Sequence, residues 1–213
     1  MLGVLDPWLY RRPFEGRSAR RYATAERPAF GDLDARLCDR WASDLSAARV
    51  ILDLGAGPGT FSAAIHARWA TPVVIAAEPS RAFASALGQN GVSSLRAFGE
   101  ALPLRDGSVD VAVMISSIRH VADRRATFAE LRRVVRRGGA VLLVELDPAA
   151  EATRVRRHAA GIRGPLLRAA FGPLVVRTAP TGDAIADHAR HAGWQTVERD
   201  DDPLQPVYRM RLT

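Results

Sequence analysis

The sequence contains no lysine and a single cysteine, Cys38. One cysteine excludes an intramolecular disulfide and a metal site built from several cysteines. Because Cys38 falls in an apolar helical pattern, we expect a buried side chain that packs as a small hydrophobe. Such sparse use of cysteine is typical of a protein made for a reducing compartment.

Long apolar runs are also missing. No uninterrupted stretch approaches the roughly 20 residues that cross a bilayer. The first residues lack an apolar core behind a basic segment, so no signal peptide is predicted. We therefore expect a soluble, cytoplasmic protein without a membrane span. Its 213 residues, of which 47% are hydrophobic and 25% charged, suit a single α/β domain over residues 1–213.

The basic residues, all 30 of them arginines, give a formal net charge of +7. A basic surface can attract nucleic acid, phosphorylated substrates or acidic membranes. The arginines are spread over Arg11–Arg21, Arg132–Arg137 and Arg154–Arg168 rather than confined to one tract. Two interpretations stay open: a functional basic surface, and a general preference for arginine and alanine such as a coding bias produces.

Hydrophobic periodicity predicts helices and strands that alternate along the chain. A stripe of apolar residues four apart predicts a helix within residues 31–47. The predicted strands are Val50–Leu54, Val73–Ala77, Ser93–Ala97, Val109–Ile115, Ala140–Leu146, Trp194–Arg199 and Val207–Leu212. The predicted helices are Phe61–Trp69, Arg81–Gln89, Thr127–Arg136, Arg154–Phe171 (with a break near Gly164–Pro165) and Asp183–Ala192. We expect the Gly138–Gly139 pair to end the helix that precedes it.

This order predicts βαβ units in a doubly wound, Rossmann-like α/β fold with helices on both faces of the sheet. Seven strands are expected, most of them parallel. The last two are joined by a short connection and should form an antiparallel hairpin.

The segment Val50–Thr60, with the sequence VILDLGAGPGT, carries the clearest chemical signal. Its alternate glycines let the backbone turn sharply and approach a ligand closely. Asp53 falls at the carboxyl end of the predicted strand, where open α/β sheets bind ligands, and can pair with a cationic amino group. A dinucleotide site would instead have the spacing G-x-G-x-x-G, and Asp53 would repel its pyrophosphate.

A second acid, Glu78, ends the next predicted strand about 20 residues downstream. A carboxylate at that position can accept hydrogen bonds from both hydroxyls of a ribose. Asp53 and Glu78 together with the glycines predict a site for a nucleoside that carries a cationic amino group.

Residues 50–147 resemble the class I methyltransferases that use S-adenosylmethionine (SAM), and among them the small-molecule group that includes enzymes of ubiquinone and menaquinone biosynthesis. The matching segments follow in the family's order: the glycine motif, AEPS at residues 77–80, ALPLRDGSVD at residues 101–110, SIRHVAD at residues 117–123 and ELRRVVRRGG at residues 130–139. The resemblance implies a SAM-dependent methyltransferase with SAM as its cofactor.

The resemblance also implies which residues hold SAM. Glu78 would hold the ribose. The family often has an acid for the adenine amino group at the position that Phe98 takes here, so that Gly99 through its N–H, or Glu100 through its carboxylate, would replace that contact. Phe98 itself can stack on adenine or simply pack. The remaining implied contacts are Asp53, Gly55, Ala56, Gly57 and Gly59 with Tyr22 around the methionine end, Pro79 and Ser80 beside the adenosine, and Ser116 and Ser117 on the floor of the site.

SAM carries its own leaving group, so methyl transfer needs a dedicated residue only where the acceptor must lose a proton. His120, just past the fourth predicted strand, is the candidate base. It can equally be structural. Arg119 can touch an acidic substrate or form an ion pair within the protein. His188 and His191 lie three residues apart, but no further ligands complete a metal site, and none is predicted.

The methyl acceptor is constrained mainly by motifs that the sequence lacks. The sequence lacks the Asn/Asp-Pro-Pro-Tyr motif that suits methylation of exocyclic or amide nitrogens, and the Pro-Cys pair that attacks pyrimidine rings. Residues 48–147 are expected to bind the cofactor, with residues 1–29 as an arm or lid and residues 148–180 as a further lid over the substrate. The oligomeric state is left open.

Three functions compete. The first is methylation of an O, N or C atom of a small metabolite. The second is modification of RNA, which the charge favours, although there is no appended RNA-binding domain or array of stacking aromatics. The third is a non-catalytic scaffold with the same fold, which would have no need of Asp53, the glycines and Glu78.

Overall fold

The computed structural model describes residues 30–89, 92–162 and 164–213. The predicted arm of residues 1–29, with Tyr22, lies outside them. The strands are β1 (Val50–Leu54), β2 (Val73–Ala77), β3 (Ser93–Leu95), β4 (Val109–Ile115), β5 (Val135–Leu146), β6 (Thr196–Asp201) and β7 (Val207–Leu212). The α-helices are α1 (Leu33–Arg40), α2 (Ala42–Ala47), α3 (Thr60–Arg68), α4 (Arg81–Gln89), α5 (Arg124–Val134), α6 (Ala152–Ala160), α7 (Pro165–Ala170) and α8 (Gly182–His191).

The strands form one seven-stranded sheet in the order β3-β2-β1-β4-β5-β7-β6. Pairs from β3 to β5 are parallel, whereas β7 runs antiparallel to β5 and to β6. The predicted fold class is therefore confirmed, including the C-terminal hairpin. Because the chain order reverses between β1 and β4, the carboxyl ends of these two strands flank the crevice in which such sheets bind ligands.

The two faces of the sheet bury different helices because neighbouring strand residues point to opposite sides. Val113 of β4 packs in the core that contains α1, α2 and α3, whereas the adjacent Met114 packs in the core that contains α5 and α8. Cys38 is buried in the first of these cores, as predicted. Helices consequently cover both faces.

The structure corrects the prediction for Gly138–Gly139. Helix α5 already ends at Val134, and both glycines lie within β5, where the register with β4 shifts. A Cβ atom on Gly139 would lie 2.5 Å from the carbonyl oxygen of Asp110. Gly139 therefore serves a close approach between two strands, whereas Gly138 has a left-handed backbone with φ of +75°.

The helix boundaries also differ from the predicted ones. The apolar stripe within residues 31–47 is divided between α1 and α2 at Trp41. The helix predicted over Arg154–Phe171 is divided into α6 and α7, and a π-helical turn, Phe171–Val176, follows. Among the described residues no helix has the length and apolar character needed to cross a membrane.

Trp194 offers a test of the packing between α5 and the C-terminal hairpin. Its side chain is 1% exposed, and its Nε1 donates a hydrogen bond to the carbonyl oxygen of Phe128 at 3.0 Å. Trp194→Phe removes that hydrogen bond and leaves a void beside α5, so we expect a loss of about 1–3 kcal/mol in the free energy of unfolding by urea. The half-buried Trp69 is the control, and Trp69→Phe should cost clearly less. Equal losses would contradict this account.

Candidate functional site

Asp53 is a buried carboxylate near the carboxyl end of β1. It is 2% exposed, and its Oδ2 accepts a hydrogen bond of 2.6 Å from the hydroxyl of Ser62 on α3. Burial raises the pKa of Asp53 to about 7, with smaller increases from the charges of Asp34 and Glu78, while the bond from Ser62 lowers it. No cation of the described residues forms an ion pair with Asp53, so the site favours a cationic group from outside the protein.

The glycine loop between β1 and α3 is tied to the end of β2. The backbone N–H of Gly55 donates to the carbonyl oxygen of Ala77 at 2.8 Å, and the N–H of Gly57 donates to Oε2 of Glu78 at 2.9 Å. Oε1 of Glu78 accepts a bond of 2.8 Å from the N–H of Ser80. Burial raises the pKa of Glu78, against the two backbone bonds, which lower it. Each oxygen keeps acceptor capacity for a further donor.

Two of the loop glycines have different reasons to be glycine. A Cβ atom on Gly55, where φ is +73°, would lie 2.5 Å from Cβ of Ser117, so a side chain there would collide with the end of β4. At Gly57, where φ is +56°, a Cβ atom would meet no atom of the described residues within 4 Å. The backbone of Gly57 therefore borders space that no described residue fills.

Two serines close the site at the end of β4. Ser117 Oγ donates to the carbonyl oxygen of Leu54 at 2.8 Å, which links the ends of β4 and β1. Ser116 has φ of +53°, a left-handed conformation that costs an L-residue about 1–2 kcal/mol. Its Oγ is buried and has no hydrogen-bond partner among the described residues. A strained backbone and an unpaired buried hydroxyl are typical of a ligand site.

The segment after β3 contains the three residues considered for the adenine contact. Phe98 is 60% exposed, so its ring does not pack into the core. Gly99 is buried, and a Cβ atom there would lie 2.9 Å from Cγ2 of Thr127. Oε1 of Glu100 accepts bonds of 3.0 Å from the N–H groups of Ala122 and Asp123, so this oxygen already holds the loop before α5.

Arg119 and Glu145 form a buried ion pair beside the same edge of the sheet. Their side chains are 5% and 0% exposed, and Nε of Arg119 lies 2.9 Å from Oε1 of Glu145. Nη1 of Arg119 donates to the carbonyl oxygen of Val175 at 3.1 Å. The predicted alternative of an ion-paired arginine is thus the one observed. The half-buried His120 ends the 3₁₀ turn of residues 118–120, which follows β4.

These observations fit SAM. Asp53 is a buried carboxyl group that pairs with no cation of the described residues, Glu78 presents acceptors at the end of β2, and Gly57 leaves room for a ligand against its backbone. The unpaired Oγ of Ser116 is a further polar contact. A cationic amino group and a ribose are the parts of SAM that such groups would hold.

Comparison with known proteins shows what the domain resembles. Residues 52–143 match the family described as Methyltransferase domain. A crystal structure of a SAM-dependent methyltransferase from Aquifex aeolicus superposes with a TM-score of 0.70 over 91% of this chain and 95% of that one, at 14% identity, which shows the fold alone. Over residues 52–143 the chain is thus similar to methyltransferase domains. That similarity implies SAM as the methyl donor.

Relatives in sequence agree with the methyltransferase domain. Over 115 residues the chain is 36% identical to an uncharacterized methyltransferase of Mycobacterium sp. strain KMS. The aligned residues make up 53% of this chain and 46% of that protein. Over 147 residues it is 30% identical to an uncharacterized methyltransferase of Mycobacterium leprae strain Br4923. Here the aligned residues make up 67% of this chain and 52% of that protein. The chain thus spans about half the length of these relatives.

The structure places the predicted residues of the methyltransferase domain at the carboxyl edge of the sheet, except Tyr22, which lies outside the described residues. Sequence reasoning missed Ser62 and Glu145. A serine in the first turn of the helix after the glycine loop was the available signal for Ser62, whereas nothing in the sequence signals that Glu145 pairs with Arg119. Within the described residues no cluster of metal-binding side chains occurs.

The raised pKa of Asp53 predicts a pH dependence of stability. Its folded pKa is about 7, above an unfolded value of about 3.9. Between these values the folded state binds a proton that the unfolded state has lost, so the free energy of unfolding falls as pH rises, by up to about 1.4 kcal/mol per unit. In urea unfolding, we expect the free energy of unfolding of the wild-type protein, measured relative to that of Asp53→Asn, to decrease from about pH 4 to about pH 7. A difference that stays constant over this range would contradict the prediction.

Proposed function

We propose that the protein transfers a methyl group from SAM to an O, N or C atom of a small metabolite. The observation that carries this proposal is the buried carboxylate of Asp53, which no cation of the described residues pairs, beside a glycine loop that borders space no described residue fills. A fold with this site geometry is expected to bind a cationic nucleoside rather than a dinucleotide.

The residues have separate tasks in this proposal. SAM supplies a methyl group on a sulfonium, whose sulfur leaves with the bonding electron pair. Asp53 pairs with its amino group, and Glu78 accepts from its ribose hydroxyls while it holds Gly57 in place. The backbone of Gly55, Ala56 and Gly59 shapes the turn around the methionine end. Because these groups are fixed before binding, they can align the methyl group at little entropic cost.

The adenine side and the base are further parts of the proposal. The exposed ring of Phe98 is available to stack on adenine, and the Gly99 N–H to bond it, with Pro79 on the adenosine side. Glu100 is the weaker candidate, because one of its oxygens already binds two backbone amides. We propose His120 as the base for acceptors that must lose a proton. We also propose residues 148–180 as the substrate lid and a cytoplasmic location.

RNA is the alternative acceptor. The segment that follows β5 is rich in arginine and contacts Arg119 beside the site through Val175. The described residues of this segment present aliphatic rather than stacking aromatic side chains to solvent, which is less suited to bases. A non-catalytic scaffold is less favoured still, since burial of Asp53 destabilises the folded protein above about pH 4 unless a ligand uses it.

Gly57 and Gly31 provide a matched test of the cofactor site. Both have left-handed backbone, with φ of +56° and +54°, and at both a Cβ atom would meet no atom of the described residues within 4 Å. Either change to alanine should therefore cost about 1–2 kcal/mol of stability from backbone strain. Only Gly57→Ala should also weaken SAM binding, by at least about tenfold in calorimetry, because its methyl group enters the ligand space. Equal SAM affinity for the two variants would contradict the site.

Transfer of label from SAM labelled in its methyl group distinguishes the acceptors. We expect label to enter the low-molecular-weight fraction of a cell extract and not purified total RNA, with transfer reduced in Asp53→Asn because SAM binding is lost. Label in RNA would replace the small-metabolite proposal with the alternative. SAM binding without transfer to either fraction would support a scaffold.

A further inference from the structure

The chain between Glu151 and Asp183 has an unusual charge pattern. It contains no acidic residue, and it contains the six arginines Arg154, Arg156, Arg157, Arg163, Arg168 and Arg177. Elsewhere arginines commonly meet acids, as Arg209 meets Asp200. Within this segment Arg154 alone among the described residues forms an ion pair, with Asp201 of β6.

The inner side of this segment is fixed to the domain. The ring of His158 on α6 stacks on Phe171 with centroids 4.6 Å apart, and its Nδ1 lies 2.6 Å from Oε1 of Gln205. Phe171 and Val176 are buried at the two ends of the π-helical turn. Helices α6 and α7 and this turn pack against one another. The segment is therefore held against the domain through these buried residues.

The outer side exposes aliphatic side chains among the arginines. Leu166 is 85% exposed, Leu167 66%, Leu174 58% and Val175 37%. Arg156 and Arg157 on α6 are also exposed and have no ion-pair partner among the described residues. We call these six residues the basic apolar face.

We propose that the basic apolar face docks on an anionic lipid bilayer. Arginines without acidic neighbours are attracted to the negative surface of anionic lipids, while exposed leucines gain from entering the boundary between headgroups and acyl chains. Neither feature suffices alone, because the charge without leucines suits any polyanion and leucines without charge suit any apolar partner. Their combination in one short segment favours the lipid surface.

Nucleic acid fits this face less well. Binding to RNA uses aromatic side chains or arginine planes that stack on bases, and the aliphatic side chains named above would stay against polar phosphates and sugars. A second copy of the chain would bring together two basic surfaces, which repel each other. Both partners are therefore outcomes to be measured rather than expected.

The face lies beside the cofactor site. The carbonyl oxygen of Val175 accepts a bond from Arg119, which follows β4, so the face adjoins the carboxyl edge of the sheet. Docking there would bring this edge close to the membrane without inserting a helix. Binding to lipid can be measured without methyl transfer, so the two proposals are tested independently.

Sedimentation with lipid vesicles tests the proposal on the full chain. We expect binding to phosphatidylcholine vesicles that contain about 30 mol% phosphatidylglycerol, at least about tenfold weaker binding to phosphatidylcholine alone, and loss of binding as salt is raised. Binding of equal strength to neutral vesicles, or no binding to anionic ones, would overturn the proposal. Binding to RNA but not to vesicles, or self-association in gel filtration that hides the face, would also overturn it.

Matched variants identify the surface. Leu166→Glu should weaken vesicle binding at least about tenfold. Val73→Glu lowers the net charge by the same amount, and it should weaken vesicle binding only as far as that loss of charge does. Val73 is 55% exposed at the start of β2, at the opposite edge of the sheet. Likewise Arg156→Gln with Arg157→Gln should weaken binding more than Arg105→Gln with Arg137→Gln. Equal effects within either pair would refute the assignment, and circular dichroism checks that all variants fold.

Discussion

The hydrogen bond from the Gly57 N–H to the carboxylate of Glu78 is the contact on which the arrangement of the site depends. A glycine loop has wide conformational freedom, so its position must be fixed by contacts outside the loop. Glu78 supplies one, and the carbonyl oxygen of Ala77 supplies another to Gly55. Because both acceptors belong to the end of β2, the parallel pairing of β1 with β2 fixes the loop as well. The sheet register is thereby transmitted to the ligand site.

Asp53 shows how the same edge combines stability with function. A buried carboxylate destabilises the folded protein when it is charged, which is why burial raises its pKa. The bond from Ser62 relieves only part of this cost. Under the proposed function the amino group of the cofactor supplies the missing positive charge, so the free energy lost in folding is recovered on binding. A carboxylate that is already paired with a protein arginine, as Glu145 is with Arg119, would gain little from the amino group of a ligand.

The sheet and most of its boundaries could be predicted from sequence because apolar runs and the 3.6-residue period report burial directly. The glycine motif and Glu78 could be predicted as site residues for a similar reason, since they follow predicted strand ends. Gly139 was misread because its reason lies in another strand: the carbonyl oxygen of Asp110 occupies the space a side chain would need. The left-handed backbone of Ser116 and the partner of Arg119 likewise depend on tertiary contacts, which local patterns do not encode.

The arginine content illustrates how composition and function can be separated by structure. If arginine were merely favoured throughout the chain, acids should accompany it everywhere, as Asp44 accompanies Arg211 and Glu130 accompanies Arg133. In those pairs the charge is used within the protein and cancels. Between Glu151 and Asp183 no acid is present, and among the described arginines of the segment only Arg154 forms an ion pair, with Asp201 of β6. A general preference for arginine explains the number of arginines but not the missing acids, so it is the absence of acidic residues that marks this segment as a surface for an external anion.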